Sequence, residues 1–175
     1  MNKNTQKKLK YRVTYLEMDN RPKFDWPKNL KHKLNILLAE SFPSWYFLFF
    51  YKQVGKNYYW TDWLRKSDNE ISEFVNDRNV LLYTLIKDGW PVGFYMLDYR
   101  KKDICDLSFF GLVGEVIGLG LGKYLLQNAI LTAWDSRKIK KLTVNTCSLD
   151  HKSAIYLYQK YGFTPVRYKD LEKTV

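Results

Sequence analysis

Apolar and polar positions alternate from Tyr11 to Met18, the period of a half-buried strand. Asp19 to Lys28, broken by Pro22 and Pro27, predicts a loop. Asn29 to about Ser41 reads as a helix, and a second helix covers the aromatic segment from Ser44 to about Val54. A tryptophan-rich loop, Tyr58 to Trp63, comes next. Ser67 and Glu70 then stand at capping-box spacing before a short helix that ends near Asn76. Beyond it the period changes. Val80–Ile86, Pro91–Asp98 and Ile104–Phe110 read as three antiparallel strands in succession, joined by the hairpin signal Lys87-Asp88-Gly89 and by a turn at Arg100–Asp103.

A glycine-rich stretch, Gly118 to Gly122, launches a long helix to about Ser136 with the apolar stripe Leu121, Leu125, Ala129 and Ala133. Leu142–Thr146 is a strand. Asp150 is expected to cap a last helix, whose apolar positions Ala154, Leu157, Tyr158 and Tyr161 fall at i, i+3, i+4 and i+7. Gly162 ends that helix, and Phe163 to Tyr168 is a final strand. The order β, α, α, α, β, β, β, α, β, α, β predicts an α/β (α+β) fold with a mixed, mostly antiparallel central sheet flanked by helices. No repeat and no linker divides the chain, so residues 1–175 read as a single domain, with 1–10 a flexible basic N-terminus.

Composition narrows the function. Apolar content of 46% with 17% aromatic residues excludes a disordered chain. The longest apolar run, Trp45 to Tyr51, is far short of a membrane span, and the N-terminus is polar and basic, unlike a secretory signal. Two cysteines, Cys105 and Cys147, make neither a disulfide framework nor a metal cluster, so a reduced, cytoplasmic setting is expected. The net charge of +11, from 29 basic and 18 acidic residues, favours anionic partners. The basic residues are scattered, however, and the cluster Arg137–Lys141 sits where a helix should end and its dipole attracts cations. Neither nucleic acid nor membrane is therefore expected as a partner. His32 has no partner at useful spacing and reads as a surface residue.

The glycines carry the chemistry. Three of them at alternate positions fill no core; they keep the main chain bare, so that amide N–H groups can close on a ligand. Those amides are also the unpaired donors at the positive end of the next helix, a site for a phosphate or pyrophosphate. A P-loop is excluded, because Gly122-Lys123 is followed by Tyr124 rather than a hydroxyl. A dinucleotide-binding fold is disfavoured, since the loop follows an antiparallel meander and the glycines run at spacing two.

Ile117-Gly118-Leu119-Gly120-Leu121-Gly122 and the later run His151 to Phe163, with Ala154, Leu157-Tyr158 and Gly162-Phe163, stand in order and are separated by one helix and one strand. In this the chain resembles the GNAT superfamily of acetyl-CoA-dependent N-acetyltransferases, over about Val80 to Val166. Ile117 stands where that family usually has Gln or Arg, and His151 where Asn is common. Asn145 to His151, Tyr15–Met18, Val54-Gly55 and Trp60 resemble a bacterial subgroup with a Thr-Cys-x-Leu-Asp-His motif, which names no acceptor.

The resemblance implies an acyltransferase that moves acetyl from acetyl-CoA to a primary amine of a small molecule or peptide by direct attack, with no metal and with room for a homodimer. Residues 80–168 would be the cofactor-binding core. Gly118, Leu119, Gly120, Leu121, Gly122, Lys123 and His151 would hold the cofactor, although His151 reads equally as support for the helix start. A backbone N–H at Leu112 or Val113 would polarise the carbonyl, and Tyr158 would protonate the departing thiolate. For the general base, Asp106 competes with Glu17 and with a water chain. Glu17 would otherwise grip the acceptor, beside Tyr59, Trp60 and Trp63; the aromatic block from Trp45 to Trp63 also reads as ordinary core. Cys147 reads as a strand-end residue. A non-catalytic acyl-CoA sensor and, further off, a nucleic-acid-binding protein are the alternatives.

Overall fold

Alternation sets the first strand and long-range pairing lengthens it. In the computed structural model of the chain, which describes residues 8–28 and 33–174, β1 (Lys8–Met18) buries Leu16 and Met18 around the half-buried Glu17. The last strand, β7 (Thr164–Thr174), runs past the expected end at Tyr168 and pairs antiparallel with β1 from Lys8↔Thr174 onward. Arg12 donates to both oxygens of Asp170, at 2.7 and 2.9 Å, along that ladder. Lys8 to Lys10 are thus strand rather than part of a flexible terminus; residues 1–7 lie outside the described residues.

The helix expected over residues 29–41 is corrected. Leu34–Ala39 form β2, antiparallel to β3 (Val80–Lys87) from Leu34↔Lys87 to Ala39↔Leu82. Residues 29–32, and with them His32, lie outside the described residues. Leucine-rich composition favours a helix locally, but the ladder along β3 satisfies one backbone group after another, and Leu34 and Ile36 pack inward at spacing two. Tertiary pairing decides.

α1 (Ser44–Gly55) and α2 (Asp68–Val75) follow; Ser67 and Glu70 close the expected capping box at the start of α2. β3 turns at Asp88 and Gly89, both at positive φ, into β4 (Trp90–Asp98), which leads to β5 (Ile104–Leu112). Next are α3 (Leu121–Ser136), β6 (Lys141–Cys147) and α4 (Ala154–Lys160). The seven strands form one sheet in the order β2-β3-β4-β5-β6-β1-β7, antiparallel throughout except for β5 against β6.

Both faces of the central strands are covered. Leu125, Leu126, Ala129 and Ile130 of α3 join Tyr95 and Leu97 of β4 in one core. Phe47 and Phe50 of α1 and Phe74 of α2 join Phe94 and Met96 in the other. Among the described residues no helix is long and apolar enough to cross a membrane.

Candidate active site

The site is a defect in the sheet. β5 and β6 are paired only at Ile104↔Lys141, Cys105↔Leu142 and Asp106↔Thr143, and beyond these they part. On its other side β5 pairs Leu107 with Leu97 but Phe109 with Met96, so Ser108 is an extra residue, a β-bulge. A bulge bends its strand and sharpens the twist, which carries the end of β5 away from β6.

The gap opens into a cleft of about 790 Å³ that runs from the start of α3, past Gly111, Leu112, Asn145 and Thr146, to the loop holding Trp60. Ladder geometry assigns the free edge of β5. Val113 N–H donates to Val92 O at 2.9 Å, so Val113 is a hydrogen-bonded partner of β4. Paired residues alternate along an antiparallel ladder, and Leu112, opposite Gly93, therefore turns its N–H toward the parting from β6. Of the two amides expected to polarise a carbonyl, Val113 is corrected: its hydrogen is engaged.

At the cofactor end, Gly118 and Gly120 adopt φ of +89° and +77°, which side chains rarely tolerate, and nothing lies within 4 Å of where a Cβ would sit at either. Gly120 is the N-cap of α3 and no side chain caps it. The first-turn amides of a 16-residue helix thus face open space beside the cleft, with Lys123 also on its wall. This arrangement fits a diphosphate. The side chain of Leu119 is half-exposed and lies outside the cleft lining.

Tyr158 on α4 reaches the same cleft, 5% exposed, its ring 6.0 Å from that of Phe110 and 5.8 Å from that of Phe163. Burial, with the nearby Asp150 charge second, pushes its phenol well above the ordinary value, so it stays protonated. Asp150 does not cap α4; Ser153 is the N-cap, and the cap expectation is corrected. The Asp150 carboxylate instead turns back, accepting from Thr146 Oγ1 at 2.8 Å, Cys147 N at 2.8 Å and Trp60 Nε1 at 3.0 Å. His151 supports the helix start, its carbonyl accepting from Ala154 N at 2.8 Å and its Nδ1 from Ser153 N at 3.3 Å; its exposed ring also lines the cleft.

At the far end Tyr59, Trp60 and Trp63 line the cleft, and part of the aromatic block is core as well: Trp63 packs on Phe47 and Phe74, centroids 5.2 and 4.4 Å away. A Cβ on Gly55 would collide with Trp60, so that glycine admits the indole where the loop closes. Lys173 on β7, also on the cleft wall, ties the loop, donating to Tyr59 O at 2.7 Å and lying 3.3 Å from Asp62.

Asp106 and Glu17 stand elsewhere. Both line a second cavity on the sheet face, which meets the cleft at Asn145. Asp106 accepts from Thr143 Oγ1 and, at 2.9 Å, from Ser108 Oγ. Glu17 is paired with Lys141. The structure therefore does not bring Glu17 to the aromatic wall, and Asp106 reaches the cleft only through Ser108, which lines both the cleft and the Asp106 contact. Sequence reasoning missed Ser108, Asn145 and Lys173. A bulge leaves no signature of its own in alternation, and the charged run Lys169–Thr174 obscures a strand.

The profile of the Acetyltransferase (GNAT) family matches residues 37–163. No curated protein matches the sequence. Among solved structures, a GNAT family acetyltransferase from Elizabethkingia anophelis with acetyl-CoA bound has a TM-score of 0.57 at 22% identity, over 78% of this chain and 80% of that one. GCN5-related N-acetyltransferases from Kribbella flavida (TM-score 0.63, 13% identity) and Sphaerobacter thermophilus (0.60, 17%) align over 92% and 94% of this chain. This chain spans 56% and 51% of those two proteins, about half their length. With the glycine-bounded start of α3, the parted β5 and β6 and the buried Tyr158 in one cleft, and a family match over residues 37–163, the chain belongs to the GNAT acetyltransferase family.

Proposed function

We propose that this chain is an N-acetyltransferase that moves the acetyl group of acetyl-CoA to a primary amine, by direct attack with both substrates bound. The observation that supports it most is the meeting of three features in one cleft: the bare first turn of α3, the unpaired Leu112 edge of β5, and Tyr158. Amides at the start of α3, with Lys123, would hold the diphosphate. The Leu112 edge would pair with the pantetheine arm as an added strand, and its N–H would stabilise charge on the carbonyl oxygen.

The amine nitrogen forms a bond to the carbonyl carbon, the carbon–sulfur bond breaks, and sulfur leaves with the electron pair. Tyr158 supplies an O–H to that sulfur. Because burial raises its pKa, the phenol acts chiefly as a hydrogen-bond donor that steadies the thiolate, and solvent completes protonation. The amine's surplus proton has a path through Ser108 Oγ to Asp106 and the second cavity. A cytoplasmic setting, with Cys105 and Cys147 as thiols, belongs to the same proposal.

Calorimetry with coenzyme A, followed by thiol-release assays over an amine library, tests this reading. Binding together with amine-dependent thiol release supports it. Binding with no turnover on any amine favours an acyl-CoA sensor. In an enzyme, Tyr158→Phe lowers turnover at unchanged coenzyme A affinity; a sensor has no turnover to lose. Nucleic acid is left out of the proposal, since much of the Arg137–Lys141 cluster is spent internally: Arg137 on Asn79 at 2.7 Å, Lys140 on Asp103 at 2.8 Å, and Lys141 on Glu17.

A further inference from the structure

We infer that the acceptor is a monoamine carrying an aromatic or flat apolar body, and that polyamines and aminosugars with several ammonium groups are poor acceptors; this rests on the reading above. Two observations carry it. First, the acceptor end of the cleft is a preassembled aromatic wall. The Tyr51 ring centroid lies 5.4 Å from that of Trp60 and 5.8 Å from that of Phe109, and Phe109 stands 6.0 Å from Trp60 and 5.9 Å from Trp63. Rings fixed by one another lose little freedom when a flat group is laid on them.

Second, each carboxylate that lines the cleft already has partners within the chain. The acidic residues among those lining it are Asp62 and Asp150. Asp62, its side chain largely exposed, lies 3.3 Å from the ammonium of Lys173, whose side chain is only 10% exposed, and Asp150 accepts three hydrogen bonds from the chain itself. In the adjoining cavity Glu17 holds Lys141 and Asp98 holds Arg100, while Asp106, bound by two neutral hydroxyls, keeps its charge for the proton of the reacting amine. A second or third ammonium on the acceptor would have to compete with Lys173 for Asp62 and with three neutral donors for Asp150, in a chain of net charge +11. The reacting amine is spared this penalty, because it must be neutral to attack.

Calorimetry on the complex of full chain and coenzyme A separates the cases, with phenethylamine, tryptamine, spermidine and kanamycin as probes and thiol release from acetyl-CoA as a second readout. The aryl monoamines are expected to bind at least tenfold more tightly than spermidine or kanamycin, and to be turned over with at least tenfold higher kcat/KM. Lys173→Met releases Asp62 and should raise the ratio of spermidine to tryptamine affinity at least fivefold. Equal or tighter binding of spermidine or kanamycin by the wild-type chain overturns the inference, and does so even if Lys173→Met fails to fold. An aryl preference in binding with no turnover on any amine sustains the acceptor class while removing the transferase reading. Turnover that favours polyamines does the reverse.

Discussion

The indole Nε1–H of Trp60 donates to Asp150 Oδ1 at 3.0 Å, and so joins the loop after α1 to the loop before α4 across the cleft. The other Asp150 oxygen is fixed by Thr146 and by the Cys147 amide, which makes the carboxylate a rigid anchor for a mobile type of element. Trp60→Phe keeps most of the ring packing and removes only the donor. A hydrogen bond to a charged acceptor contributes about 1.5–3 kcal/mol. The variant should lose about that much by urea denaturation, with acceptor KM raised and coenzyme A affinity within twofold of wild type. An unchanged midpoint and an unchanged KM would show that the clasp is incidental.

Gly120 makes a sharper test of the cofactor end. Its φ of +77° lies where a Cβ costs about 1–2 kcal/mol, yet its surroundings are open, so Gly120→Val strains the backbone without filling the core. Coenzyme A affinity by calorimetry should fall at least tenfold. Gly114→Ala, at a glycine whose Cβ direction is equally open but whose φ is not positive, should leave affinity unchanged. Equal binding by both variants would remove the start of α3 from the cofactor site.

How much of this was legible beforehand follows from what each feature depends on. The α3 stripe, the Asp88-Gly89 hairpin and the Ser67–Glu70 box are local patterns, and they appear where the sequence placed them. Leu34–Ala39 favours a helix when considered alone; the strand state of β2 is dictated by β3, more than forty residues on. The glycine loop and Tyr158 can be assigned to the start of α3 and to α4 from the sequence, because backbone conformation and motif spacing are written in order along the chain. Ser108 and Lys173 owe their places to a slipped register and to a ladder between the two chain ends, neither of which has a local mark. Asp106 was placed on the right strand but at the foot of the parting instead of inside the cleft, since the point at which β5 leaves β6 is a tertiary property.

Buried phenols set the alkaline limit. Burial raises Tyr51 to about 12, with the Trp63 amide opposing, and burial also raises Tyr95, Tyr99 and Tyr158 above the ordinary value near 10. Below pH 10 both states hold these protons and nothing changes. Above it the unfolded chain releases protons that the folded one retains, so stability falls as pH rises from 10 toward 12. A single phenol shifted as far as Tyr51 contributes a loss of about 1.4 kcal/mol at pH 11. Melting temperature should therefore drop steeply between pH 10 and 12, and absorbance at 295 nm should show these four phenols ionising only as the fold is lost. Ionisation of all tyrosines near pH 10 in the folded protein would contradict the burial assigned to Tyr158.

At the acid end the sensitive group is Glu70. The Lys66 ammonium, 2.8 Å away, and then the Ser67 amide and hydroxyl hold its carboxyl down at about 2, against an ordinary value of 4.5. A depressed carboxyl stabilises the fold fully above about pH 4.5 and loses that contribution as pH falls toward 2. Glu70→Gln keeps an amide oxygen for the Ser67 N–H but has no proton to gain. The wild-type chain should melt higher than this variant at pH 6, and the gap should close by pH 2.5. Ser67→Ala breaks the box from the other side, at a cost of about 1 kcal/mol at neutral pH. It should also shrink the gap at pH 6, because Glu70 then loses the Ser67 hydroxyl as a donor and keeps, of that residue, only the main-chain N–H. A gap that stays constant from pH 6 to pH 2.5 would mean that the box holds α2 by geometry alone and that the charge on Glu70 adds nothing.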